Sequence, residues 1–177
     1  MDLKKFIEES IRRDRETAEF FYEVSNIYSE LGTIDKSISI KEILLSLNLD
    51  NIKKEEIMLS LAKDFHKAGM YDNAIGILEE VFLITDDKDN ILDLQSHIYS
   101  EIKEWKKVLD VQKMKKVKDP DIILFALCNY SKEILDSGDI KRAQLLLKEA
   151  ELINKNHPHI LLHWIDIYLS ENNLKEI

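Results

Sequence analysis

Residues 61–74 read LAKDFHKAGMYDNA: an apolar-small pair, an aromatic, a glycine, a second aromatic and an alanine. Leu61, Ala62 and Phe65 fall on one face of a 3.6-residue helix. Gly69 stands where a helix ends in a left-handed residue, and Tyr71 with Ala74 opens the next helix. Counted from Gly69, Met58 stands eleven before, Leu78 nine after and Val81 twelve after. The logic is packing. Two antiparallel helices joined by a tight turn cross closely where both carry a small residue, here Ala62 and Ala74. The aromatics fill the space toward the next pair at ~9 Å between axes.

The same landmarks recur. Around Gly138 they are Leu127, Tyr130, Ser131, Ile134, Ile140, Ala143, Leu147 and Ala150. Around Gly32 they are Phe21, Val24, Ser25, Tyr28, Ile34, Ser37, Lys41 and Leu44, with Lys41 a departure from an apolar position. Around Lys103 they are Leu92, Gln95, Ser96, Tyr99, Trp105, Val108, Gln112 and Lys115, degenerate in the second helix. Around Asn172 the pattern gives Leu161, Trp164, Ile165, Tyr168, Leu174 and Ile177. The turn positions 32, 69, 103, 138 and 172 are 37, 34, 35 and 34 residues apart. A helix–turn–helix unit with a 34-residue period is the tetratricopeptide repeat.

The expected fold is therefore all-α: a tetratricopeptide-repeat right-handed superhelix, or α-solenoid, of antiparallel helix hairpins. Helices are expected near 3–14, 17–31, 34–47, 53–68, 71–84, 89–102, 105–117, 120–137, 140–154 and 158–171. They group into a half-repeat at 3–14, repeats near 17–47, 53–84, 89–117 and 120–154, and a partial repeat over 158–177. The chain reads as a single array cut from a longer protein. The first helix carries Leu3, Phe6, Ile7 and Ile11 on one stripe, and Leu174–Ile177 look like the opening of an unfinished helix. Left-handed turns are expected at Gly32, Gly69 and Gly138, and Asn172 can adopt the same conformation; Lys103 needs a different turn. Pro120 and Pro158 belong at helix starts, where the missing N–H costs nothing.

Composition agrees. Four Gly and two Pro in 177 residues are too few for an all-β sandwich, which turns every ~10 residues. Twenty-five basic against 34 acidic residues give −9, which disfavours nucleic acid or an anionic membrane as principal partner. The lysines from Lys103 to Lys118 form a local basic run, read as a solvated face. A lone Cys128 excludes an intrachain disulfide and a multi-cysteine zinc site. No signal peptide and no ~18-residue apolar run is present, so the expectation is a soluble segment without direct membrane contact.

Beyond the general repeat, residues 19–82 resemble the central repeats of the lipopolysaccharide assembly protein B family, bacterial inner-membrane regulators. The resemblance rests on Leu31-Gly32-Thr33-Ile34-Asp35-Lys36-Ser37 with Leu44-Leu45, and on Ala68-Gly69-Met70-Tyr71-Asp72. It continues through Thr85-Asp86-Asp87, Ile98-Tyr99, Glu104-Trp105-Lys106-Lys107 and Lys148-Glu149-Ala150. The resemblance implies a cytoplasmic repeat domain tethered by an N-terminal membrane helix. A C-terminal four-cysteine metal module would dock on the repeats. It also implies a role in lowering lipopolysaccharide synthesis, by helping a membrane-bound ATP-dependent protease degrade the committed deacetylase. Neither the anchor nor the four cysteines occurs in these residues.

In such arrays the first helices line a concave groove, through positions 13, 10, 6 and 3 before each turn. These are Glu19, Tyr22, Asn26 and Ser29, then Glu56, Leu59, Lys63 and His66. Asn90, Asp93, His97 and Ser100 follow, then Phe125, Cys128, Lys132 and Leu135, and last His159, Leu162, Asp166 and Leu169. The final two sets carry apolar Phe125, Leu135, Leu162 and Leu169, a pattern that marks a partner segment. The alternative is an array whose groove only seats another domain of the same protein. The Lys/Asn carboxylate clamp of chaperone-tail binders is excluded, because Tyr22 stands where a lysine is wanted and only Asn26 matches.

Three other patterns are set aside. His159 and His163 have chelating i, i+4 spacing with His157 nearby, but no third fixed ligand is evident. Residues 85–90, TDDKDN, lack the glycine and terminal glutamate of a calcium loop and read as a helix cap. No G-x-S-x-G, phosphate loop or H-E-x-x-H occurs, and Cys128 has no evident base. The expectation is a non-catalytic scaffold without cofactor or metal.

Overall fold

The computed structural model describes residues 2–14, 16–47 and 51–173. Among them are ten helices and no strand. The helices are α1 (Leu3–Arg13), α2 (Thr17–Glu30), α3 (Ile34–Leu45), α4 (Asn51–Lys67) and α5 (Tyr71–Ile84). They continue with α6 (Lys88–Glu101), α7 (Trp105–Met114), α8 (Pro120–Asp136), α9 (Ile140–Asn154) and α10 (Pro158–Asn173). Chain contacts divide into two compact units, Met1–Ile91 and Leu92–Ile177. In the first, α2 packs on α3, α3 on α4 and α4 on α5, with α1 against α2 and α3. In the second, α7 packs on α8, α8 on α9, and α10 on both α8 and α9.

The landmarks are the core. Ala62, Ala74, Ser25, Ser37, Ser96, Val108, Ser131 and Ala143 are all buried, which permits the close crossings. At one crossing the Ser131 hydroxyl donates to the Ala143 carbonyl at 2.9 Å. The position nine after each turn is fully buried in every described hairpin, whether it holds Leu78 and Leu147 or Lys41 and Gln112. Two polar residues at a core position demand partners, and both have them. Lys41 reaches Asp64; Gln112 donates to Ser96 Oγ at 3.0 Å and accepts from the Asp119 amide at 3.2 Å. Among the described residues no buried side-chain nitrogen or oxygen lacks a hydrogen-bond partner.

The turns correct one expectation. Lys103 does not take another turn: its φ is +61°, beside +76°, +71° and +90° at Gly32, Gly69 and Gly138. All four turns close alike, with the next residue's amide bonded to the carbonyl five residues back: Thr33 to Tyr28, Met70 to Phe65, Glu104 to Tyr99, Asp139 to Ile134. This is the Schellman closure, and the antiparallel pairing of the flanking helices enforces it even on a β-carbon. Left-handed backbone costs an L-residue roughly 1–2 kcal/mol. Lys103→Gly should therefore raise stability, by about 0.5–1 kcal/mol once the extra freedom of glycine in the unfolded chain is set against it. An unchanged or lower urea midpoint would show that Lys103 is not strained.

Two further expectations change. In α1 only Ile7 is fully buried, while Leu3 and Phe6 stay exposed, because little of the helix beyond that face is covered. The turn expected at Asn172 is absent, since α10 continues to Asn173; Leu174–Ile177 lie outside the described residues. The helix starts behave as read. Asp119 caps α8 through the Asp121 and Ile122 amides ahead of Pro120, and the Asp87 amide donates to Thr85 Oγ1 at 3.1 Å before α6.

Candidate functional site

In the first unit, α2 and α4 present their outward stripes to one cleft of about 460 Å³. Tyr22, Asn26, Leu59 and Lys63 line it, as do Glu56 and Ser29. Ser60 Oγ lies 3.2 Å from Asn26 Oδ1, and both hydrogen-bond the Tyr22 hydroxyl. Burial, with the carboxylate of Glu56 behind it, pushes the Tyr22 phenol above its ordinary range, against the lowering effect of Ser60 and Asn26. The phenol thus remains protonated at neutral pH, a donor held in place on the cleft wall.

The cleft floor is Asp64, which sequence reasoning did not single out. Its carboxylate is 1% exposed and accepts from Ser29 Oγ at 2.5 Å, Ser37 Oγ at 2.6 Å and Lys41 Nζ at 2.5 Å. Lys67 Nζ in turn donates to Ser29 Oγ at 2.8 Å, so the network runs from the rim to the core. Burial alone would raise this carboxyl; the hydrogen bonds from Lys41, Ser29 and Ser37 outweigh it and hold the group below its usual range. Ser29 on α2, Ser37 and Lys41 on α3 and Asp64 on α4 tie three helices together under the cleft. The available signal was Lys41: a lysine at an apolar landmark requires a carboxylate on a neighbouring helix.

Ser29 itself turns inward and is buried, so it supports the cleft from below more than it faces solvent. Lys63 is exposed; His66 is half-buried, its ring 6.0 Å from that of Tyr71.

In the second unit, Phe125 and Lys132 lie two turns apart on α8, which packs on α10, the helix that carries His159, Leu162, Asp166 and Leu169. The Phe125 ring meets Trp105 and His159 edge-on, each at 5.5 Å. Phe125, Leu162 and Leu169 are exposed, while Leu135 is half-buried. His97 on α6 is exposed and faces Glu101 at 3.1 Å. Cys128 departs from the expected stripe: it is fully buried, and burial pushes its thiol up to about 11. A neutral, inaccessible thiol is a core residue and a poor nucleophile.

Among the described residues, His157, His159 and His163 do not come together as a ligand set. His157 and His159 stack face to face at 5.5 Å, and His163 Nδ1 faces Asp166 at 3.7 Å. Burial first, then Lys132 and His159, lower the His163 pKa against the pull of Asp166, so its imidazole is neutral at neutral pH.

No family model matches the chain. Solved structures share its fold. A tetratricopeptide repeat protein from Parabacteroides merdae aligns at a TM-score of 0.61 and 13% identity, over 91% of this chain and 62% of that one. MamA from Desulfovibrio magneticus RS-1 aligns at 0.52 and 10%, over 88% and 96%. The chain has the tetratricopeptide-repeat fold. In sequence it resembles lipopolysaccharide assembly protein B. It is 25% identical to the Escherichia coli K12 protein over 166 residues, 91% of this chain and 43% of that protein. It is 26% identical to the Haemophilus influenzae protein over 134 residues, 71% and 33% respectively. The chain spans less than half the length of these relatives. None of its described helices is long and apolar enough to cross a membrane.

Proposed function

We propose that the chain is a non-catalytic protein–protein interaction scaffold. It serves as the repeat domain of a regulator of lipopolysaccharide synthesis, acting as adaptor to a membrane-bound protease at the cytoplasmic face of the bacterial inner membrane. The scaffold reading is carried by the division of labour on α4. Leu61, Ala62 and Phe65 are buried in the hairpin, while on the same helix Lys63 is exposed and Leu59 and His66 are only half-buried. A stripe kept out of the core in successive first helices is the surface through which such a fold holds another chain. The groove candidates are those of α2, α4, α6, α8 and α10 named above, with Tyr22, Asn26, Leu59 and Lys63 around one cleft. The lipopolysaccharide connection is supported by the resemblance over 91% of the chain.

The adaptor role is tested by a chimaera. This chain replaces the matched stretch of the Escherichia coli relative, and the half-life of the committed deacetylase of lipopolysaccharide synthesis is followed after translation is blocked. Degradation as fast as with the native stretch is expected. A stable deacetylase, with the chimaera folded and abundant, would reject the adaptor reading and leave the scaffold.

A further inference from the structure

The basic run of α7, which the groove does not use, borders a second cleft of about 390 Å³ between α7 and the α8/α9 hairpin. Its floor is apolar: Leu109 and Leu127 are buried, and Ile123 and Leu146 are half-buried. Its rim carries four cations, Lys106, Lys113, Lys118 and Arg142, against two anions, Asp110 and Glu149. In a chain of net charge −9 this is a local reversal of sign.

The pairing within the rim sharpens the point. Lys113 is engaged by Asp110 at 3.1 Å. Arg142 is oriented, with its guanidinium 5.7 Å over the Tyr130 ring and a 2.9 Å hydrogen bond to the Tyr130 hydroxyl, but it has no carboxylate partner among the described residues. Lys106 and Lys118 have no ionic partner among the described residues either. Because α7 and α8 are antiparallel, as are α8 and α9, Lys106 and Arg142 stand near the starts of two helices that run the same way. The cleft has a local cause. Lys115 occupies the landmark twelve after the turn, which is buried Leu44, Val81 and Ala150 in the other hairpins. It turns instead to Asp93, and α7 stops at Met114 after ten residues, against 12, 14 and 15 in α3, α5 and α9.

We infer that this cleft, on α7, α8 and α9, is a second docking site, and that its occupant is an acidic amphipathic segment of a partner protein. Apolar side chains of the segment seat on Leu109, Ile123, Leu127 and Leu146, and carboxylates meet Lys106, Lys118 and Arg142. The inference does not depend on the groove.

The probe is a fluorescein-labelled twelve-residue peptide of leucine and glutamate, followed by anisotropy against the whole chain. Its controls are the same peptide with lysine for glutamate, an all-glutamate peptide, and inorganic phosphate as competitor. The leucine–glutamate probe should bind at least roughly tenfold tighter than either control peptide. Lys106→Glu with Lys118→Glu should weaken it by about tenfold or more, Lys106→Arg should retain it, and Phe125→Ser in the groove should leave it unchanged. Helicity of each variant is checked by circular dichroism. Equal binding of the lysine peptide, indifference to the charge reversals, or displacement by phosphate as effective as by unlabelled peptide would each overturn the inference. Loss on Phe125→Ser alone would move the peptide to the groove and refute the second site.

Discussion

Asp64→Ala should lower the stability of the chain by about 3–5 kcal/mol, the largest effect expected of any single substitution here. The loss is not chiefly that of an ion pair. Lys41 is fully buried, and without Asp64 its ammonium is a charge with no partner; Ser29 and Ser37 lose their acceptor at the same time. The diagnostic comparison is a double variant. Lys41→Leu in the Asp64→Ala background puts at this position the leucine found at 78 and 147, and it should recover most of the loss. If the double variant unfolds at the same urea concentration as Asp64→Ala alone, the stranded charge is not the cause. The acid limit follows from the same group. Its pKa lies below the unfolded carboxyl value, so its contribution is complete above that value and disappears as pH falls through the folded one.

Ala62→Leu and Ala74→Leu come next. Both side chains are fully buried at the α4/α5 crossing, where three added carbons have no space. Overpacking of this kind costs roughly 1–3 kcal/mol. Lys63→Leu, one residue away but exposed on the cleft rim, should stay within about 0.5 kcal/mol of the parent. Equal denaturant midpoints for the three would mean that α4 and α5 do not cross where the small residues place them.

The helices were legible because the repeat's constraints are local: a small residue at the crossing, an aromatic beside it and a left-handed residue at the turn. Lys103 was misread for the opposite reason. A single residue's preference opposes the left-handed turn, and the two helices on either side override it. Lys41 was visible as an exception, but its partner was not. Asp64 lies neither on a landmark nor on the open stripe, and only the stacking of α3 on α4 brings it to Lys41. Cys128 shows the same limit, since a stripe counted at fixed intervals does not say where a helix rolls into its neighbours.

The buried lysine also bears on how a repetitive chain avoids mistakes during folding. Hairpins built to one pattern are interchangeable in shape, and a chain of them can assemble out of order. At the position that holds Asp64 in α4, the other first helices carry Ile27, Ile98, the exposed Glu133 and Ile167. Among the described residues of the first helices, only α4 at this position offers the lysine of α3 a sheltered anion already held by two hydroxyls. Misordered stacking would leave that lysine in a dry interior with no counter-charge, a far heavier penalty than any mismatch among leucines. One polar residue set among equivalent apolar sites thus labels a single hairpin and gives its place in the order.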